Sequence, residues 1–179
     1  MPRFVAFLRA INVGGRNIKM EALRAHFSSP SFSQVETYIA SGNVIFEARS
    51  TSTLLEKKIE ALLLEALGYE VTTFIRTDAE VANIARHQPF DQHSMQKAQA
   101  INIALLKAPL TDESREIAKN FNTDIDAFHV HGREVYWLCR KKQSESRFSN
   151  ALFERKLGVS ATFRSLSTML KLAATYPPP

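Results

Sequence analysis

With 179 residues, 45% apolar composition and a net charge of +5, the chain can build one globular unit or two small ones. No apolar run is long enough to cross a bilayer, and the N-terminal run is cut short by Arg9 before signal-peptide length, so cytoplasmic residence is expected. The single cysteine, Cys139, excludes an intramolecular disulfide and cysteine-based metal cages.

The apolar run 4–8 predicts a strand. A Gly14-Gly15 turn follows, and Asn17 stands where it can cap a helix carrying Met20, Leu23 and Phe27 on one face. Runs 35–39 and 44–46 flank Ser41-Gly42-Asn43, a hairpin signal because glycine tolerates positive φ. Thr53 and Glu56 match a capping box ahead of an apolar stripe of Leu55, Ile59, Leu62, Leu63, Ala66 and Leu67. Gly68 is placed to stop that helix. Residues 71–75 read as a strand, and Asp78 caps a helix reaching residue 85.

The second half repeats this order. Strand 101–106 precedes a helix over 112–121. Strands 127–130 and 134–138 flank His131-Gly132-Arg133. Ser149 caps a helix that stops at Gly158, strand 161–164 follows, and Ser167 opens a last helix. Gly132 lies 90 positions after Gly42, and Gly158 lies 90 after Gly68, which suggests duplication. Each βαββαβ run is the split motif of ferredoxin-like folds. The expected class is therefore α+β: two tandem ferredoxin-like subdomains, each βαββαβ plus a helix, with helices packed on one face of an antiparallel sheet. The expected boundaries are 1–88 and 100–179, with a linker at 89–99 around Pro89.

The segment from Arg9 to Lys19 offers an anion site. Arg9, Arg16 and Lys19 bring cations, Asn12 a polar side chain, and Gly14 and Gly15 a turn that leads to a helix N-terminus. The spacing is neither a P-loop nor a dinucleotide-binding fingerprint. Ser41 and Asn43 at the hairpin tip read first as turn-holding residues and second as ligand contacts. Tyr38 reads as a core residue.

The positive charge is uneven. Residues 140–171 hold eight cations against Glu145 and Glu154, a net +6 in a chain that totals +5. Such an excess suits phosphate or nucleic acid. The aromatic signature of RNA-recognition modules is missing, and Tyr136 and Trp137 alternate faces, so at most one is expected on an open sheet surface. His129 and His131 alternate along a strand and read as turn or surface histidines. His26, His87 and His93 show no ligand spacing, so no metal and no cofactor are expected. Cys139 precedes three cations able to lower its pKa, but without an evident base it reads as packing.

Several stretches resemble the family known as domain of unknown function 1697, a bacterial family. Arg9-Ala10-Ile11-Asn12-Val13-Gly14-Gly15 is similar to its Arg-Gly-Ile-Asn-Val-Gly-Gly, with Ala10 where glycine is usual. Met20 and Leu23 fit its following helix, and Thr37-Tyr38-Ile39-Ala40-Ser41-Gly42-Asn43 fits closely. Pro89-Phe90 resembles Asn-Pro-Phe, with Gln88 replacing Asn. Ser146-Arg147-Phe148 resembles Ser-Lys-Leu, and Thr162-Phe163-Arg164 resembles the start of Thr-x-Arg-Asn-Trp, from which Ser165 and Leu166 depart. The resemblance implies the α+β fold and carries no activity. Because Arg147 and Arg164 fall in matched segments, they join the candidate ligand contacts, in a site combining both halves. The expected function is binding of an anionic or phosphorylated small molecule near Gly14-Gly15. The alternatives are a nucleic-acid-binding module using 140–171 and an interaction scaffold. No residue pair assigns a reaction class, no membrane is expected as a partner, and nothing in the sequence sets an oligomeric state.

Overall fold

The computed structural model describes residues 1–39 and 42–179. The chain divides into two compact units, one of residues Met1–Ala82 with Leu172–Pro179, the other Asn83–Lys171. The C-terminal eight residues, expected with the second half, thus group with the first.

In unit 1, β1 (Arg3–Leu8), β2 (Ser33–Thr37), β3 (Asn43–Glu47) and β4 (Thr73–Thr77) form one sheet in the order β2-β3-β1-β4. Every neighbouring pair is antiparallel, with Val5 opposite Ile45 and Ala6 opposite Ile75. The helices α1 (Met20–His26) and α2 (Ser52–Leu67) lie between β1 and β2 and between β3 and β4 in the chain. This is the ferredoxin-like order. Alternate residues of each strand share a face. Phe4, Ala6 and Leu8 therefore join Val44, Phe46, Leu23, Leu55, Ile59 and Leu63 in one core. Val5, Phe7, Ile45, Phe74 and Arg76, on the opposite face, are buried as well.

Edge strand β4 has an outward row of backbone donors, and three carboxylates meet it. The N–H groups of Thr73, Ile75 and Thr77 donate to Glu60 Oε1 (2.9 Å), Glu56 Oε1 (3.1 Å) and Glu80 Oε2 (2.8 Å). An unpaired strand edge is a template for association, and this one is covered from within its own chain. The finding corrects the capping of α2. Thr51, not Thr53, holds the helix start by accepting from Leu54 N–H, and Glu56 is buried against β4 instead of serving a capping box. Gly68, at φ 75°, stops the helix as expected.

Two further starts differ from the sequence reading. Helix α1 begins at Met20 with Lys19 in the capping position and no side-chain cap, because Asn12 Oδ1 takes the Ile18 N–H (2.8 Å) and keeps residues 12–18 looped. Helix α3 (Asp78–Arg86) is capped by Thr77, whose hydroxyl accepts from Glu80 N–H while the Glu80 carboxylate accepts from Thr77 N–H. That reciprocal pair is a capping box. Strand β2 carries an irregularity between Ser33 and Glu36, with Gln34 at φ 49°.

Unit 2 has the same plan. After α4 (Gln92–Lys97), capped by Asp91 inside the expected linker, come β5 (Ala100–Leu106), α5 (Asp112–Lys119), β6 (Asp126–His131), β7 (Glu134–Cys139), α6 (Asn150–Leu157) and β8 (Ala161–Ser165). The sheet order is β6-β7-β5-β8, again antiparallel throughout. Helix α7 (Leu166–Thr175) follows β8 directly. Ser165, rather than Ser167, caps it by accepting from Thr168 N–H (3.1 Å). Asparagine serves equally well at such a position, so the departure from the family pattern at residue 165 leaves this role intact. Edge strand β8 is tied like β4, with Ala161 N–H donating to Glu154 Oε1 (2.8 Å).

Candidate functional site

The two best-matched sequence motifs meet in unit 1. Leu8 N–H donates to Gly42 O (2.9 Å), and a Cβ placed on Gly42 would lie 2.6 Å from Ile11 Cγ2 and 3.3 Å from Leu8 Cβ. Glycine is required there by space as well as by its φ of 76°. Asn43 is fully buried. Its Nδ2 donates to Tyr38 O (2.9 Å), and its carbonyl accepts from Tyr38 N–H (3.0 Å). Its visible work is therefore to close the hairpin. Ser41 lies outside the described residues.

Beyond Leu8 the chain leaves the sheet as an exposed loop. Arg16 N–H donates to Val13 O (3.4 Å), which closes a turn whose central residues, Gly14 and Gly15, have φ 67° and 82°. Two positive φ values are the signature of a type I′ turn. A Cβ on either glycine would meet nothing within 4 Å, so the backbone is open to approach. The Arg16 guanidinium sits over the Tyr69 ring, 4.0 Å from its centroid, which restricts its orientation. Arg9, Arg16 and Lys19 are all exposed, and residues 9–19 contain no acid. The turn does not run straight into the helix, since α1 starts five residues after Gly15 and is only seven residues long. A helix-dipole contribution is accordingly not part of this site. Ala10, at φ 53°, adopts the left-handed region where the family pattern has glycine.

Tyr38 is half-buried, outside the main core. It meets Tyr176 edge-on at 6.0 Å, and the Tyr176 hydroxyl donates to Glu36 Oε2 (2.7 Å). Arg3 Nη1 donates to Pro177 O (3.2 Å), so the C-terminal tail is tied to unit 1.

The two candidate arginines of unit 2 have different surroundings. Arg164 is buried, and its Nη1 donates to Thr162 Oγ1 (2.8 Å) and Phe163 O (2.9 Å). Burial lowers its pKa to about 10. Arg76 is its counterpart in unit 1, fully buried on β4 with Nη1 donating to Ile75 O (2.9 Å), at a position no local motif marks. A buried arginine thus occupies the same strand position in both sheets. Arg147 is exposed beside a cleft of about 450 Å³ that also presents Asp124, Asp126 and Glu145, an acidic setting. The neighbouring Ser146 and Phe148 are structural. Ser146 Oγ donates to Asp126 Oδ2 (2.7 Å), the same carboxylate accepts from Trp137 Nε1 (2.8 Å), and Phe148 packs on Trp137 at 4.5 Å.

Tyr136 and Trp137 are both buried, so neither offers a base-stacking platform. Cys139 is also buried. Burial pushes its thiol pKa up despite the cations that follow, and its Sγ donates to Lys141 O (3.1 Å). Packing, not reactivity, explains it.

Unit 2 also gathers three histidines that spacing kept apart. His129 and His131 project from the same face of β6, and His87 follows α3. The His87 ring is stacked on His131 at 4.0 Å and lies 5.5 Å from His129 and 5.1 Å from Tyr136. One nitrogen from each histidine falls within 4.8 Å of the others. The separation of His87 from His129 by more than forty positions hid this arrangement from any local motif search.

The profile of a family described as "Protein of unknown function (DUF1697)" matches residues 1–136. No curated protein matches the chain. Among solved structures, the chain resembles the conserved bacterial protein SP0830 from Streptococcus pneumoniae, with 20% identity, a TM-score of 0.75 and coverage of 99% of each chain. That likeness extends the shared fold past residue 136, across the second unit.

Proposed function

Because the chain belongs to the DUF1697 family of proteins of unknown function, and that membership brings no reaction with it, we propose a function from the site itself: the loop at residues 9–19 binds an anionic or phosphorylated small ligand. One observation carries the reading. Gly14 and Gly15 present consecutive, sterically open backbone positions at positive φ, in a segment with three exposed cations and no acid. Successive N–H groups in a turn conformation form concavities suited to anions. Arg16, oriented by Tyr69, and Lys19 supply charge at the same loop. Asn12 holds the loop's shape through Ile18 N–H, and Gly42 sets its base against Ile11. Arg9 extends the positive surface. Asn43 enters the proposal as a neighbour in the adjoining hairpin, and Ser41 enters it from its place in the sequence motif alone. Arg147 and Arg164 belong to unit 2, and their surroundings there do not add to it.

The test is a thermal-shift screen against nucleotides, phosphorylated metabolites, carboxylates and short oligonucleotides, at low and moderate salt. A ligand present at about 100 times its dissociation constant stabilises by about 2.7 kcal/mol, or about 5–10 °C for a chain of this size. The expected result is a small anionic ligand whose shift is lost in the double variant Arg16→Ala/Lys19→Ala while the unliganded melting point is retained. An anionic ligand bound equally well by that variant overturns the proposal. So does binding confined to oligonucleotides that fades steeply with salt, the mark of counterion release.

A further inference from the structure

A second site is independent of the loop. We propose that His87, His129 and His131 form a mononuclear binding site for a divalent transition metal of the zinc class, with the three imidazoles as its protein ligands and a fourth position left to solvent or a small ligand.

Geometry supports it first. One nitrogen of each ring lies within 4.8 Å of the other two. Ligands at the usual Zn–N distance of about 2.0–2.1 Å in a tetrahedron stand about 3.4 Å apart, so a closure of roughly an ångström completes the set. The stacked pair His87 and His131, inclined by 18°, reaches ligation by turning about the side-chain torsions. Both β6 histidines are held on one face by the ladder, His129 opposite Tyr136 and His131 opposite Glu134.

A second observation points to a missing partner. His87 Nε2 is buried and has no hydrogen-bond partner. Buried polar atoms are nearly always satisfied, and an exception calls for an unseen water or ion. A metal bound at this nitrogen removes the deficit.

The chemistry agrees. Metal ligation requires neutral imidazole. The pKa of His87 is lowered chiefly by burial and then by His131 and His129, and that of His129 chiefly by burial and then by His131. The Glu134 carboxylate, directly across the ladder from His131, brings negative charge to the same face. The Tyr136 hydroxyl is already committed, donating to Ile84 O (3.0 Å). An all-nitrogen donor set suits Zn²⁺, Cu²⁺, Ni²⁺ and Co²⁺ and does not suit Mg²⁺ or Ca²⁺, which require oxygen. Exposure of His131 gives a bound ion a route to solvent.

The experiment uses the full chain without an affinity tag, treated with chelator and dialysed. Zn²⁺ is titrated calorimetrically, and Co²⁺ is followed by its visible ligand-field spectrum. One ion per chain is expected, with a Co²⁺ spectrum of tetrahedral or five-coordinate intensity and no heat from Mg²⁺ or Ca²⁺. His131→Gln, at an exposed position, should weaken Zn²⁺ binding by about tenfold or more, since even outer-shell losses cost that much. His129→Gln should do the same. His26→Gln and His93→Gln, outside the cluster, should leave it unchanged. Absence of stoichiometric Zn²⁺ or Co²⁺ binding overturns the proposal. Binding that survives both His131→Gln and His129→Gln, in proteins with unaltered circular dichroism, overturns it equally.

Discussion

Substitution of Gly42 by alanine tests how the two matched motifs are joined. At φ 76° the new side chain is strained, and its Cβ would lie 2.6 Å from Ile11 Cγ2, with Leu8 Cβ at 3.3 Å and Leu8 O at 3.4 Å. Ile11 is 2% exposed and Leu8 is 1% exposed, so neither can swing into solvent. Left-handed backbone costs a non-glycine residue about 1–2 kcal/mol, and overpacking adds about 1–3 kcal/mol. Reduced freedom of the unfolded chain returns about 0.4–1 kcal/mol. The net expectation is a loss of about 2–4 kcal/mol, equivalent to about 5–15 °C in melting temperature. Gly15→Ala is the control, because φ is 82° but nothing lies within 4 Å of the added Cβ. It carries only the backbone strain, about 1 kcal/mol after the same entropic return. Far-UV circular dichroism in a urea series measures both variants, and it is the appropriate probe because the single tryptophan, Trp137, reports on unit 2. Equal destabilisation by Gly42→Ala and Gly15→Ala would refute the packing argument and leave conformation alone as the requirement.

Two further substitutions probe how the fold is secured. Glu56→Ala leaves the buried Ile75 N–H without its acceptor and should cost about 1–3 kcal/mol in urea denaturation, whereas Glu56→Gln retains an acceptor and should cost no more than about 1 kcal/mol; indistinguishable midpoints would mean that the carboxylate does not serve the strand edge. Ala10→Gly relieves left-handed strain at φ 53° against a higher unfolded-state entropy and should raise stability by about 0.5–1 kcal/mol, and a lowered melting temperature would contradict that balance.

The architecture was legible because its signals are local. The apolar stripe of α2 and the glycine stops at residues 68 and 158 specify their elements from within a few residues. The common offset of the hairpin and stop glycines signalled a repeated plan, and both sheets have the same strand order. Helix starts were less legible. Thr53, Asn17 and Ser167 each match a cap by residue type, but Thr51, the looped residues 12–18 and Ser165 decide the actual starts. A cap is set by which residue takes extended φ and ψ where the chain enters the helix, so that its side chain reaches the free N–H groups of the first turn, and residue type alone does not say which.

The candidate sites divide along the same line. The loop at 9–19 is one continuous stretch, so its glycines and cations were visible in the sequence, and structure added the type I′ geometry and the stacking of Arg16 on Tyr69. Arg164 looked like a ligand contact because of its charge and motif, and only burial beside Thr162 and Phe163 revealed its match to Arg76. The histidine cluster had no sequence signature. His129 and His131 share a face by strand periodicity, but His87 reaches them only because the end of α3 lies beside β6 within unit 2. Local periods, glycine turns and the placement of charge depend on neighbouring residues and can be read from the amino-acid order. Which polar groups are buried, which donors are satisfied and which distant imidazoles meet depend on the three-dimensional closure of the chain and emerge only from the folded structure.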